Sequence, residues 1–352
     1  MLANASLTVE HDSKVTYIYI FVTLAYKVLI KKFNTREGIM AKKVYLHIGA
    51  HKSASKTIQR NIAKNSEFFK QVNGISHIMS QDLNGSDFAR HFTEISGHRL
   101  PSDSFDFDES IELARLFIED LINSTATEDV LLSWEGILGS SALDKYEGIY
   151  THSSIVSKSL AYIFRSYPVR ILMVTRQQDT FIESCYLQQI KEGRCLSFDE
   201  FVENIDVNKL SWKVIADDLN RAFRKKLCVV PFEFIKVLGT GQFLNKTLSY
   251  LFEREIKIDG INLIDQANGS MSNYGVEMAR ALYPHLSDQG LSEARQMIFR
   301  EFNSEKFGKA RFFNKFSRSL IRQITEKENA EMYKKYTRNF YSFAGVSSAP
   351  YV

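Results

Sequence analysis

His47-Ile-Gly-Ala-His-Lys-Ser-Ala-Ser-Lys-Thr-Ile-Gln59 leaves an apolar run at residues 44–48 (VYLHI) and enters a helical pattern through small and hydroxylated residues. A strand that turns into a helix this way aims several backbone N–H groups, and the positive end of the helix, at one spot. That is a cradle for an anion. Ser53, Ser55 and Thr57 add hydroxyl donors and Lys52 and Lys56 add charge, so the loop from Gly49 to Thr57 has the parts to hold an oxyanion.

Working outward, three more β-rich runs stand at residues 130–133 (VLLS), 169–175 (VRILMVT) and 227–232 (LCVVPF). Segments of helical periodicity lie between them. One is marked by Ile111, Ala114, Ile118, Leu121 and Ile122 at helix spacing behind an acidic first turn, residues 106–109. Nearly continuous apolar strands separated by helices predict an α/β fold whose central parallel sheet is flanked by helices on both faces. From Asn273 onward the pattern is mostly helical. Residues 66–107, rich in Ser, Asp, Gly and His, interrupt the alternation and read as a long loop or insertion able to line a substrate cleft.

Composition narrows the classes. The chain has 352 residues, 44% apolar and 24% charged, which is the ordinary globular range. Its 45 basic and 41 acidic residues are interspersed and sum to +4, so nothing calls for a nucleic-acid partner. Three cysteines without a C-x-x-C pair argue against a disulfide framework and a structural zinc site, and for a cytoplasmic setting. Residues 15–26 (VTYIYIFVTLAY) are uncharged and apolar, but Lys14 and Lys27 bound them well short of the roughly 18–20 residues that span a bilayer. Snorkelling by Lys27, Lys31 and Lys32 would lengthen the run, so membrane association through residues 15–30 competes with a blander alternative. In the latter, residues 1–39 are an N-terminal extension and residues 40–352 form a single domain that begins beside Met40.

Aligned with the nucleotide-binding pattern G-x-x-x-x-G-K-[ST], residues 50–57 give A-x-x-x-x-S-K-T. Both glycines that let a backbone wrap a triphosphate are replaced, which weakens the reading as a P-loop kinase or NTPase. A second anion site is written further on. Arg176 ends the third run, and Ser184 follows eight residues later in a helical segment at residues 179–191. An arginine at the carboxyl end of a parallel strand faces the ligand crevice, and a serine two turns into the next helix can face back toward it. Together they offer a guanidinium fork and a hydroxyl to one phosphate.

These two stretches, in this order, resemble the sulfotransferases that use 3′-phosphoadenosine 5′-phosphosulfate, in particular a bacterial, carbohydrate-type branch whose loop runs roughly H-I-G-x-H-K-T-G-T-T-x-x-Q. The matches are His47, Ile48, Gly49, His51, Lys52, Ser53 for Thr, Ser55 for Thr, and Gln59; Ala54 replaces the loop glycine and Lys56 a hydroxyl residue. A methyl group at position 54 is tolerated at negative φ and strained at positive φ. The resemblance covers residues 47–59 and 169–191, extends to 130–135 and thins beyond 235; residues 1–39 have no counterpart in it.

The resemblance implies a P-loop-like sulfotransferase fold and an enzyme that moves a sulfuryl group from that donor to an acceptor hydroxyl, with a carbohydrate or glycolipid as acceptor and no metal. Gly49, Lys52, Ser53, Ala54, Ser55, Lys56 and Thr57 would hold the 5′ end of the donor, and Arg176 with Ser184 its 3′-phosphate. Lys52 would neutralise charge on the leaving oxygen. Glu135, just past the second run, is the leading general base, with an ion pair to Arg176 or a loop lysine as its alternative role. His51 and His91 are the other base candidates. Residues 231–234 (PFEF) read as architectural. Residues 268–272 (NGSMS) read either as an aid in closing the nucleotide site or as an ordinary helix cap. The basic and aromatic residues 307–315 read either as a substrate grip or as a solvated face with core aromatics. A catalytically degenerate nucleotide-binding relative is the remaining alternative, with Ala54 and Lys56 as its cause.

Overall fold

The computed structural model describes residues 42–97, 105–224, 226–265 and 269–345. The expectations for residues 1–39, including membrane association through residues 15–30, lie outside the described residues. Five strands, β1 (Lys43–His47), β2 (Ile75–Met79), β3 (Asp129–Ser133), β4 (Val169–Thr175) and β5 (Leu227–Pro231), form one sheet in the order β2-β3-β1-β4-β5. All four pairings are parallel. The protein is therefore α/β with an all-parallel central sheet, and residues 273–344 are mostly helical, as the sequence predicts.

Alternation along the strands sorts side chains onto two faces, each covered by helices. Val44, Leu46, Val130, Leu132, Ile171, Met173 and Val229 join one core, with Phe92, Ile118, Leu160, Phe181 and Leu219 from the helices against it. Tyr45, Leu131, Leu172, Val174, Cys228 and Val230 join the other, under Ile58, Ile62, Phe243 and Leu248. The expected helix behind the acidic turn is Phe107–Asn123, capped by the Asp106 carboxylate on Glu109 N–H and burying Ile111, Ala114, Ile118 and Ile122.

Residues 66–107 differ from the expected long loop. They contain the helix Ser66–Asn73, the edge strand β2 and the helix Asp87–Ile95. β2 (ISHIM) escapes a hydropathy reading because Ser76 and His77, half-exposed at the sheet edge, dilute its apolar character. The chain reaches it through Gly74 at φ 66°, the left-handed close of the preceding helix, a conformation that favours glycine.

Strand order also fixes where a ligand can lie. The connection after β1 leads to β2 at one edge of the sheet, whereas the connection after β4 leads to β5 at the other, so the chain reverses direction across the adjacent pair β1 and β4. In open α/β sheets the crevice at such a point, beyond the carboxyl ends of the strands, is the ligand site. The loop at residues 48–54 and Arg176 emerge there, and Glu135 emerges beyond β3 on the other side of β1.

Leu46, fully buried in the central strand, is the test of this core. Leu46→Ala should cost about 2–5 kcal/mol in urea unfolding, and truncation of the exposed Val237 to Ala less than about 0.5 kcal/mol.

Candidate functional site

The loop after β1 is held in place from below. Ile48 N–H and Ala50 N–H continue the sheet by donating to Leu172 and Val174 carbonyls, and the Ser55 hydroxyl donates to Ala50 O at 3.3 Å. Gly49 is required by close approach, since a Cβ there would sit 2.6 Å from His47 Nε2 and 2.8 Å from Ser55 Oγ. The helix Ser55–Lys64 starts from Ala54, whose carbonyl accepts from Thr57 and Ile58 N–H. Ahead of those two, the N–H groups of Ser53, Ala54, Ser55 and Lys56 have no acceptor among the described residues. Four backbone donors without acceptors among the described residues thus sit in sequence at a helix N-terminus, the arrangement that favours an anion.

Two features depart from the sequence expectations. Ser53 and Ser55 are buried and direct their hydroxyls to loop carbonyls (His51 O and Ala50 O), so what they offer a ligand is their backbone N–H. Ala54 adopts φ 63° and Lys52 φ 61°, the left-handed region in which a side chain is strained. The methyl group that replaces the loop glycine therefore sits in the unfavourable conformation.

Arg176 faces this loop. Its Nη1 donates to Lys52 O at 2.8 Å, its Nε donates to Thr180 Oγ1 at 3.0 Å, and its guanidinium lies over the Phe232 ring. Lys52 reaches in turn to the helix that carries Ser184, with Nζ donating to Gln188 Oε1 at 3.3 Å. Thr180, Ser184 and Gln188 are four residues apart in the helix Gln178–Lys191 and so share one face. Arg176 touches one end of that stripe and Lys52 the other. Ser184 lies between them, half-buried, its hydroxyl without a hydrogen-bond partner among the described residues.

The cations here crowd one another. Among the described residues no carboxylate forms an ion pair with Lys52, Lys56, Lys191 or Arg176. Lys52 keeps solvent-exposed surface, yet desolvation by the surrounding protein, with repulsion from Lys56, Lys191 and Arg176, holds its ammonium down to about 8. Burial, then repulsion from Lys56 and Arg60, lowers Lys191 as well. Burial, opposed by attraction from Glu233, Asp179 and Glu183, lowers Arg176 too, and an anion placed among these groups would offset the repulsion between them.

On the β3 side, Gln59 Nε2 donates to Glu135 Oε2 at 2.7 Å and to Ser133 Oγ at 3.1 Å, and His47 Nδ1 shares that hydroxyl at 2.7 Å. Burial pushes the Glu135 carboxyl up, but donation from Gln59 and from backbone N–H brings it below its ordinary value. Glu135 is thus ionised at neutral pH, and it forms no ion pair among the described residues, against the alternative role expected for it. His51 is tied to Tyr150, whose hydroxyl lies 2.8 Å from His51 N and 2.9 Å from Nδ1.

The remaining candidates fall outside the crevice. His91 is buried against Phe92, with Ser110 Oγ on Nδ1, and burial holds it down to about 4; it is a core residue. Ser272 caps the helix Asn273–Leu282 by accepting from Gly275 N–H and donates to Phe302 O, so the cap alternative holds for it; Asn268 lies outside the described residues. Within residues 307–315, Phe312 and Phe313 pack, their N–H groups donating to Glu183 Oε1 and the Phe312 ring meeting Tyr186 and Phe198, while Phe307, Lys309 and Arg311 are exposed. A cavity of about 780 Å³ between the helices Phe107–Asn123 and Ser153–Ile163 is lined by Phe107, Ile111, His152, Lys158 and Tyr162 and by none of the crevice residues.

Sequence reasoning missed Thr180, Gln188 and Tyr150. The first two were within reach, since each stands one helical turn from Ser184. Tyr150 lies in an irregular segment with no periodic signal, at φ 45°. Comparison with protein-family models finds none that matches the chain, and comparison with curated proteins finds none that matches it.

Relief of the left-handed strain can be measured directly. Ala54→Gly should stabilise the protein by roughly 0.5 kcal/mol, the balance of strain removed against unfolded-state entropy gained. Ala63→Gly, in the exposed interior of the following helix, should destabilise it by roughly 0.5–1 kcal/mol. Urea unfolding reads both, and equal signs would mean that position 54 is not strained.

Proposed function

We propose that this chain is a sulfotransferase of P-loop-like fold that transfers a sulfuryl group from 3′-phosphoadenosine 5′-phosphosulfate to an acceptor hydroxyl. The single observation that carries this is the bridge between the two anion sites. Arg176 bonds to the loop at Lys52 O, while Lys52 bonds back to the helix face of Ser184. One ligand with anionic groups at both ends accounts for two unpaired cationic sites held at that separation.

The roles follow from position. The four free N–H groups at residues 53–56 and the Lys52 ammonium hold the phosphosulfate end, and Lys56 adds charge at the rim. The spare guanidinium donors of Arg176 and the free Ser184 hydroxyl hold the 3′-phosphate. In the reaction the bond between sulfur and the bridging phosphate oxygen breaks as the bond between sulfur and the acceptor oxygen forms. Lys52 stabilises the electron pair left on the bridging oxygen, and a carboxylate, Glu135, takes the acceptor's proton. Catalysis rests on orientation and fixed charge. Resemblance to the carbohydrate-type branch makes a glycan or glycolipid the expected acceptor. No helix among the described residues is long and apolar enough to cross a membrane.

Adenosine 3′,5′-bisphosphate should raise the melting temperature and ATP should not. Stabilisation by ATP alone would favour a kinase or NTPase, and by neither a degenerate site. Lys52→Ala should abolish transfer without unfolding the protein, while Arg176→Ala should weaken donor binding far more than acceptor binding; near-normal turnover in the lysine variant would discard the mechanism. The bisphosphate affinity should also fall as pH rises through about 8, because the free protein then loses the Lys52 proton that an anion requires. A flat profile between neutral pH and pH ~9 would place the anion away from Lys52.

A further inference from the structure

His51 and Glu135 both border the loop, and either type of side chain can accept a proton in a transfer reaction. The hydroxyl of Tyr150 decides between them. Tyr150 is 4% exposed, and burial pushes its phenol well above the ordinary range, so at neutral pH it carries its proton. Among the described residues this hydroxyl has two partners, the backbone N–H of His51 at 2.8 Å and His51 Nδ1 at 2.9 Å. The backbone N–H can only donate, so it occupies a lone pair of the phenol oxygen. The phenol proton then has one acceptor within reach, Nδ1, and a buried hydroxyl proton left without an acceptor would cost about 1–3 kcal/mol.

We infer that Tyr150 fixes His51 as the neutral tautomer with its proton on Nε2, so that His51 cannot act as the base and the acceptor's proton goes to Glu135. This rests on the sulfuryl-transfer reading for its chemical consequence, though not for the tautomer itself. A base needs a free lone pair, and with Nδ1 engaged by the phenol and Nε2 protonated His51 has none. The groups around it, four N–H and two cations, all favour negative charge. Glu135 is the crevice group with the opposite character, an ionised carboxylate with Oε2 held by Gln59.

The backbone at Tyr150 is consistent with a side chain placed for this contact. A tyrosine at φ 45° is held in a region that bulky residues avoid, and such conformations persist where the surroundings over-determine them. The ring packs against Phe181 and Trp212, and Trp212 Nε1 donates to Arg176 O at 2.7 Å. The same aromatic group thereby steadies His51 on one side of the crevice and Arg176 on the other. Tyr150 is a positioning residue, acting through His51.

The test is a long-range ¹H–¹⁵N correlation spectrum of the full chain labelled at histidine, near neutral pH, with His51 assigned by the signals lost in His51→Gln. The wild type should show a protonated Nε2 and an unprotonated Nδ1, and Tyr150→Phe should move both nitrogens toward the average of the two tautomers. A wild-type spectrum with the proton on Nδ1, or with both nitrogens protonated, overturns the inference whether or not the protein transfers sulfate. In transfer assays His51→Gln, which keeps an N–H donor but cannot take a proton, should retain activity within about tenfold, whereas Glu135→Gln should lose roughly 10²–10⁴-fold. Equal losses in the two variants would return the base role to His51. An absence of transfer by the wild type would count against the proposed function and leave the tautomer result standing.

Discussion

Everything in the crevice depends on one hydrogen bond, from the guanidinium of Arg176 to the carbonyl of Lys52. It joins the ends of two adjacent parallel strands at the point where the chain reverses direction across the sheet. By occupying the Lys52 carbonyl it helps hold the left-handed turn, after which the next four N–H groups have no acceptor among the described residues. The same arginine keeps donors in reserve, so a single side chain shapes the loop and, on the proposed reading, also serves the 3′-phosphate.

That bond is only as rigid as the turn that carries Arg176, and the turn is braced from several directions. Thr175 Oγ1 meets Tyr333 OH at 3.0 Å, Gln177 N–H donates to Glu233 Oε1, and Gln178 exchanges side-chain amide bonds with Asn329. Asp179, fully buried, takes both Arg318 and Arg322, and Glu183 takes Arg318 together with two backbone N–H groups. Buried carboxylates are costly unless paired and hydrogen-bonded, and Glu183 Oε1 and Asp179 Oδ2 are both, while Asp179 Oδ1 is buried without a hydrogen-bond partner among the described residues. Their partners lie between Phe312 and Arg322, so the segment that leads into the helix Lys315–Tyr336, together with the first turns of that helix, braces the helix that follows Arg176. Positive φ at Lys52 and Ala54 is strain of the kind that such bracing can sustain.

The strands β1, β3, β4 and β5 and the helix Phe107–Asn123 were legible because burial on both faces writes itself as continuous apolar runs, at the β5 edge as in the interior, and burial on one face as helical spacing. β2 was not, because an edge strand can carry Ser76 and His77 without penalty and so looks like loop. Within the crevice, the convergence of residues 49–57 with Arg176 could be read from motif and spacing, as could Glu135 at the end of β3. The inward turn of the Ser53 and Ser55 hydroxyls could not, since a serine's pattern does not say whether its oxygen serves the backbone or a ligand. Nor could Tyr150, whose role comes from a tertiary contact 99 residues away from its partner His51. Glu233, read as architectural, is so in a specific sense, as the acceptor that pins Gln177.

The central claim is that one nucleotide spans the two anion sites. A crystal structure of the protein with adenosine 3′,5′-bisphosphate tests it most directly. The 5′-phosphate should lie on the N–H groups of residues 53–56 with Lys52 beside it, and the 3′-phosphate on Arg176 and Ser184. A nucleotide bound in the opposite sense, or seated elsewhere with the Arg176 guanidinium and the Ser184 hydroxyl untouched, would contradict the account.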